Sequence, residues 1–159
     1  MVMDTLSPEL KQALESFEME ELDLMIERKR LRDFKQLRRL LALDASVKPE
    51  YRQRALYALG RWGDPSIVKD IVTLLPELPE SHCITGLEAL SRLGTTAARK
   101  TVRMFADNPS PHIRKTVVEA LTRLGSRSEI ARLQMIAKTD KVQWVRELAQ
   151  KRLKTALQR

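Results

Sequence analysis

Cysteine and aromatic residues are scarce in this sequence of 159 residues, which holds one Cys, two Trp, two Tyr and three Phe. A single cysteine excludes an internal disulfide and any metal site that needs several thiolates. No apolar run approaches the roughly 18 to 20 residues that span a bilayer. The first residues also lack a positive patch followed by an apolar segment. We therefore expect no secretory signal, no contact with a membrane and a cytoplasmic location.

Residue patterns for catalysis and cofactor binding are missing as well. The adjacent His82 and Cys83 are the one pair that suggests nucleophilic chemistry. Neighbours on a helix point about 100° apart, and no third group is placed to orient them. The histidines, His82 and His112, have no carboxylates at ligand spacing, and there is no glycine-rich phosphate loop. We expect a protein that is not an enzyme, with no catalytic residue, cofactor, metal or small-molecule substrate.

Charge is plentiful, and it is unevenly distributed along a chain whose formal net charge is +8. Residues 1–27 contain eight acids and one base, whereas residues 28–41 contain seven bases and one acid. Such an asymmetry steers anionic partners or binds the opposite end of another copy. Two ordinary solvated faces explain it equally well, so the sequence leaves the role of this asymmetry open.

One short motif occurs three times at a fixed spacing. It reads Glu119-Ala-Leu-Thr-Arg-Leu-Gly125, and earlier Glu88-Ala-Leu-Ser-Arg-Leu-Gly94 and Tyr57-Ala-Leu-Gly-Arg-Trp-Gly63. The three glycines are each 31 residues apart. A fixed period between about 20 and 50 residues is typical of a stacked array of repeats.

The apolar residues recur in the same register, so each unit is predicted to be a helix, a turn closed by glycine, and a second helix. Helices are expected near residues 8–17, 19–31, 33–43, 49–62, 65–75, 80–93, 96–106, 111–124, 127–137 and 142–157. The expected core is formed by Leu59, Leu90, Leu121, Ile71, Val102 and Leu133. Arg99 breaks the pattern, because Leu37, Val68 and Ile130 occupy its position in the other units.

The register weakens at both ends of the chain. Leu31 still fits the apolar stripe, with a helix break near residues 31–33. Terminal repeats need a polar outer face, so weak ends are typical of capping helices. We predict a single domain over 1–159, with acidic capping helices in 1–32, repeats of 31 residues in 33–141 and a capping helix in 142–159.

These motifs resemble the HEAT repeats, in particular the short HEAT-like repeats of the phycobilisome lyase-like type. The similarity covers roughly residues 33–157, through Ala58-Leu-Gly-Arg-Trp-Gly-Asp-Pro65, Ala89-Leu-Ser-Arg-Leu-Gly94, Asp107-Asn-Pro-Ser-Pro-His-Ile-Arg114 and Ala120-Leu-Thr-Arg-Leu-Gly125. It implies an all-α fold, a right-handed α–α superhelix or α-solenoid of HEAT-like helical hairpins. It also implies that the second helices line the concave side.

The resemblance further implies a ladder in which a loop Asp pairs with an Arg early in the next helix. The matching pairs are Asp44 with Arg52, Asp107 with Arg114, and Asp140 with Arg146. These arginines are therefore assigned to the scaffold. The second unit has Cys83 where the arginine is expected, which predicts a local weakness or an opening between Pro76 and Ile84.

Three columns of second-helix residues are expected to point away from the core. They combine basic side chains with methionines, a mixture that suits a docking face, although an ordinary solvated face has the same pattern. The candidate partner-binding residues are Arg38, Arg39, Lys69, Lys100, Met104, Arg132 and Met135.

The favoured function is a non-enzymatic scaffold whose second-helix, concave face binds a macromolecular partner, a protein that offers an acidic or amphipathic segment. The alternative is a protein that binds the backbone of a nucleic acid, because the isoelectric point is near 9.9. A third possibility, a subunit related to bilin lyases, rests on the fold alone.

Overall fold

Ten α-helices and three short 3-10 turns form the regular structure of the computed structural model, which describes residues 5–16, 19–42 and 46–158. No strand occurs among these residues, so the all-α prediction is confirmed. The helices are α1 Pro8–Glu15, α2 Glu20–Arg28, α3 Leu31–Arg39, α4 Pro49–Trp62, α5 Val68–Leu74, α6 Glu80–Leu93, α7 Thr96–Met104, α8 Pro111–Leu124, α9 Arg127–Thr139 and α10 Gln143–Leu157. The predicted ends of the first and third helices, residues 17 and 43, lie outside the described residues. None of the described helices is long and apolar enough to cross a membrane.

The three repeated glycines end three equivalent helices. Gly63, Gly94 and Gly125 have φ values of 81°, 61° and 62°, in the left-handed region that a side chain disfavours. Each glycine N–H donates to a carbonyl one turn back, that of Leu59, Leu90 or Leu121 respectively. The repeat motif is therefore a helix C-cap, as its spacing predicts.

The break between helices α2 and α3 comes earlier in the sequence than expected. Lys29 adopts a left-handed conformation with φ of 45°, and Arg30 is extended, so the break precedes residue 31. Leu31 then begins α3 with 65% of its surface exposed. Its assignment to the apolar stripe is wrong, because the break turns the helix start away from the core.

The core follows the predicted register. Leu59, Leu90, Leu121, Ile71, Val102 and Leu133 all have 0% exposure. Their burial joins the helices into one continuous apolar cluster. Fully burying a side chain of this size contributes about 1.5–3 kcal/mol, so the repeated stripe supplies much of the stability.

The array has two layers that pack differently. The long helices α4, α6, α8 and α10 contact their neighbours extensively along the array, whereas the shorter α3, α5, α7 and α9 contact one another much less. An ideal Cβ on Gly60 would lie 2.6 Å from the Cβ of Ala89, so α4 and α6 approach closely. Which layer lines the concave side stays a prediction of the resemblance.

The acidic N-terminal helices pack against α4. The Tyr57 hydroxyl donates to Asp23 at 3.1 Å, and the Arg61 Nε lies 3.2 Å from the same carboxylate. Tyr51 donates to Glu15, and the Arg54 guanidinium reaches the carbonyl of Ala13 at 3.3 Å. Part of the charge asymmetry of the sequence is thus used inside the molecule.

The last helix ends the stack with a polar face. Val118 and Thr122 are buried on α8. After a one-residue shift of register, the equivalent residues of α10 are Gln150 and Lys154, and both are exposed. An exposed polar face at this position is the property expected of a terminal capping helix.

Candidate docking surface on the second helices

Arg38, Lys69 and Lys100 occupy equivalent positions in three successive units, and the two lysines are exposed and unpaired within the described residues. Lys69 on α5 and Lys100 on α7 are exposed, and neither takes part in an ion pair within the described residues. Arg38 on α3 differs, because its Nε lies 2.6 Å from Asp70 of α5. The free positive charge on this face therefore comes chiefly from the two lysines.

Both predicted methionines are exposed. Met104 near the end of α7 is 68% exposed, and Met135 on α9 is 52% exposed. The two positions are 31 residues apart and therefore equivalent in the repeat. They place an apolar strip beside Lys100, with an adaptable side chain in each of two successive units.

The column that contains Arg39 and Arg132 is not uniformly exposed. Arg39 is exposed, but the equivalent Thr101 is buried and Asp70 binds Arg38. Arg132 is only 22% exposed, and its Nη2 donates to Asp107 while its Nη1 lies 3.0 Å from the sulfur of Met135. Arg132 is therefore held in place by its neighbours, in contrast to the lysines.

The predicted ladder pairs Asp107 with the wrong arginine. Arg114 forms a bidentate pair with Asp140 of the following loop, at 2.7 and 3.0 Å, and the side chains of both residues are 4% exposed. Asp107 binds Arg132 and is 83% exposed, so it is not a partly buried ladder acid. The ladder runs forward along the stack because the arginine side chain reaches the next inter-repeat loop.

The ladder arginines also bind backbone carbonyls of the loop before them. Arg114 donates to the carbonyls of Asn108 and Pro109 at 2.9 Å, and Arg146 donates to that of Asp140 at 2.6 Å. Arg52 donates to the carbonyl of Ala42, and its predicted partner at position 44 lies outside the described residues. The assignment of these arginines to the scaffold agrees with these contacts.

Electrostatics stabilise the buried pair at Asp140. Burial on its own raises the pKa of this carboxyl, but hydrogen bonds from Arg114 and from the Val142 N–H outweigh it and lower the pKa overall. The hydrogen bond to Asp140 in turn raises the pKa of the Arg114 guanidinium. Both groups therefore stay ionised in a nearly water-free position.

A second ionic cluster lies inside the array and was missed from the sequence. Glu129 of α9 has 0% exposure and accepts hydrogen bonds from Arg99 at 2.9 Å, from Arg103 and from Ser126. Burial raises the pKa of Glu129, but the hydrogen bonds from Ser126 and Arg103 and the charge of Arg99 outweigh it and lower the pKa overall. The sequence feature that pointed to this cluster was Arg99, because a charged residue at an otherwise apolar position of the repeat needs a buried acidic partner.

No opening is found at Cys83. The thiol is 2% exposed, and burial, with a smaller contribution from Glu80, raises its pKa to about 11. His82 is also buried, and its Nε2 lies 2.7 Å from the carbonyl oxygen of Pro49. A small buried thiol fills the position of the missing arginine, and the expected local weakness between residues 76 and 84 stays a prediction. Across the described part of the chain, no three His, Cys, Asp or Glu residues are grouped to hold a metal ion.

Comparisons with known proteins identify the repeat. Residues 81–154 match the family model described as HEAT repeats. In the solved structure of the complex of CpcE and CpcF of phycocyanin lyase from Nostoc sp., one chain superposes with a TM-score of 0.66 and 19% identity. The match covers 97% of this chain and 66% of that one, so the present chain spans just under two thirds of its length. At this identity the similarity shows the fold alone.

A search of the curated proteins found no match to the chain. Three glycine-capped helices at a spacing of 31 residues, the matched family model and the superposed fold nevertheless point to one conclusion. Over residues 81–154 the chain is similar to the HEAT repeats.

Proposed function

We propose that this protein is a non-enzymatic scaffold that binds a protein partner through the outward face of its second helices. The binding face consists of Arg39, Lys69, Lys100, Met104 and Met135. The observation that carries the proposal is the exposure of Met104 and Met135, 68% and 52%, at equivalent positions of successive units. Exposed apolar patches rimmed by polar residues mark interaction sites.

The chemistry of this face favours an acidic amphipathic segment. Met104 and Met135 offer flexible apolar contacts that adapt to a partner, while Lys69 and Lys100 lack an internal acid. A partner with acids beside apolar anchors matches both features. The apolar anchors are expected to supply most of the affinity and the charges to speed and orient encounter.

A role without catalysis agrees with the surroundings of His82 and Cys83. Both side chains are buried, and a thiol with a pKa of about 11 is protonated near neutral pH. A nucleophilic cysteine needs access and a lowered pKa, and this site offers neither. The structural relative was solved as a complex of two proteins, which supports a protein as the partner here.

The test is a pull-down from a lysate of the source cells with the wild-type protein and two double variants. In the first, Lys69→Glu and Lys100→Glu reverse the charge on the second helices. In the matched control, Lys115→Glu and Lys151→Glu make the same change at exposed positions of the long helices. We expect a protein partner that is still captured after nuclease treatment and is lost only with the first variant. Loss only with the control variant, or co-purification of nucleic acid that nuclease abolishes, would overturn the proposal.

A further inference from the structure

A small cleft adjoins Met135 where α7 and α9 end. Its volume is about 240 Å³, and Asp107, Arg132, Met135 and Lys141 contribute to its walls. The buried pair of Arg114 and Asp140 also lines it. The cleft therefore combines a rigid ionic wall with an exposed apolar side chain.

The chemistry of the cleft is absent from the preceding unit. One repeat earlier, Pro76, Thr101 and Met104 occupy the positions of Asp107, Arg132 and Met135. Thr101 is buried and binds the carbonyl of Ala97 in its own helix. The pair of Arg132 with Asp107 is therefore not required by the repeat, since the preceding unit does without it.

Neighbouring side chains hold Arg132 in place, but not all of its hydrogen-bond donors have partners. Its Nη2 donates to Asp107 and its Nη1 contacts the Met135 sulfur, while its buried Nε has no hydrogen-bond partner among the described residues. A guanidinium carries five donors and binds a carboxylate best through two of them. The internal contact with Asp107 engages a single nitrogen.

Asp107 is a weak internal partner. Its side chain is 83% exposed at the end of a 3-10 turn, and ion pairs in such positions contribute little to stability. A carboxylate from outside that binds the same guanidinium through two oxygens displaces Asp107 at little cost. Lys141, exposed at the edge of the cleft, adds positive charge to the entrance.

We propose that this cleft is the anchor site for one acidic side chain of the partner, and that Asp107 occupies the arginine until the partner binds. The inference rests on the proposed function and deepens it. The partner segment places a Glu or Asp carboxylate on Arg132 and an apolar residue against Met135, at the end of the methionine strip. Its chemistry is that of an amphipathic acidic peptide.

The test uses two synthetic fluorescein-labelled helical peptides of 14 residues, one with leucine on one face and glutamate elsewhere, and one with glutamine in place of glutamate. Binding is followed by fluorescence anisotropy. Asp107→Asn removes the internal competitor, so we expect it to bind the glutamate peptide roughly twofold to fivefold more tightly. Arg132→Gln is expected to weaken binding about tenfold or more. A gain in affinity cannot come from unfolding, which keeps the test valid if one variant is unstable.

The double variant gives the sharpest result. If Asp107 acts only by occupying Arg132, Asp107→Asn has no effect once Arg132→Gln is present. The glutamine peptide is expected to bind weakly to all four proteins. Equal gains from Asp107→Asn in both backgrounds would overturn the cleft, because the aspartate would then act through general repulsion. No binding of the glutamate peptide to Asp107→Asn would overturn it too.

Failure of the cleft and failure of the proposed function give different patterns. If only the proposed role of the cleft is wrong, the double variant Lys69→Glu with Lys100→Glu no longer binds the glutamate peptide. The Asp107 and Arg132 variants then bind this peptide with equal affinity. If the docking face is wrong, the lysine reversals leave binding unchanged. Inorganic phosphate is added as a competitor at 0.15 M ionic strength, about the physiological value. Displacement of the peptide by phosphate at low millimolar concentration, without displacement by free glutamate, would overturn the assignment to a carboxylate.

Discussion

The long helices and the short helices of this array face the same core but differ in length, in how they end and in the side chains that they expose. Each of α4, α6 and α8 runs for 14 residues and ends at a left-handed glycine, and close neighbours such as Gly60 and Ala89 bring their backbones together. The second helices α5 and α7 are shorter, end in 3-10 turns and carry the exposed methionine and lysines. The close backbone packing therefore belongs to the first layer, whereas the exposed lysines and methionine lie on the second.

The ion pairs follow the same division in part. Arg114 of α8 and Asp140 are almost fully buried, whereas Arg38 of α3 and Asp70 are 44% and 33% exposed. The exception is Glu129, a fully buried acid on a second helix, which is held by two arginines of α7. This cluster fastens two second helices that otherwise contact each other little.

The largest expected effect comes from breaking the buried pair. Arg114→Ala leaves the Asp140 carboxylate buried without its partner, so we expect the free energy of unfolding to fall by about 3–5 kcal/mol. The matched control is Arg38→Ala, which removes an exposed pair and should change it by less than about 1 kcal/mol. Urea denaturation followed by circular dichroism measures both. Equal losses would show that the two layers do not differ in this respect.

A smaller loss is expected from the apolar core. Leu90→Ala removes a side chain with 0% exposure on α6 and should lower the free energy of unfolding by about 2–5 kcal/mol. Met104→Ala, at a position that is 68% exposed on α7, should change it by no more than about 0.5 kcal/mol. A loss below about 1 kcal/mol for Leu90→Ala would contradict the repeat register.

Acid should destabilise the array through its buried carboxylates. The pKa values of Asp140 and Glu129 are lowered in the folded protein, so their contribution is complete above the pKa of the unfolded chain, about 4. It is lost as the pH falls through the lower values of the folded state. We expect Glu129→Gln to make the fall in stability between about pH 5 and pH 3 shallower than in the wild type. Urea titrations at pH 7, 5, 4 and 3 measure this, and identical slopes would count against the buried ion cluster.

The smallest expected effect is on the stability of the docking face. Lys69→Glu with Lys100→Glu reverses two exposed charges that have no ion pair within the described residues, so the free energy of unfolding should change by about 0.5 kcal/mol or less. Thermal melts and urea curves test this. A loss above about 1 kcal/mol would mean that these lysines belong to the scaffold.

Most of the fold could be predicted because the repeat makes each position observable several times. The glycine spacing gave the helix ends, and the apolar columns gave six core residues that are all fully buried. The break at Lys29 could not be placed, since a left-handed lysine has no sequence signature comparable to glycine.

The site was predicted less completely, because helical spacing tells which residues point outward but not which of them are paired. Lys69, Lys100, Met104 and Met135 are exposed as expected. The pairing of Arg38 with Asp70 and of Arg132 with Asp107 joins residues 32 and 25 positions apart. An arginine side chain is long enough to reach several acids, so the local geometry determines which of them it pairs with.

The most direct test of the central claim is site-specific photo-crosslinking in the source cells. A photoreactive phenylalanine derivative at Met104 or Met135 should crosslink to one protein partner, and the same group at Lys115 of α8 should not. Lys69→Glu with Lys100→Glu should abolish the Met104 product while the melting temperature stays unchanged. Crosslinking of the same partner from position 115 but not from 104 or 135 would contradict the account and assign binding to the long helices.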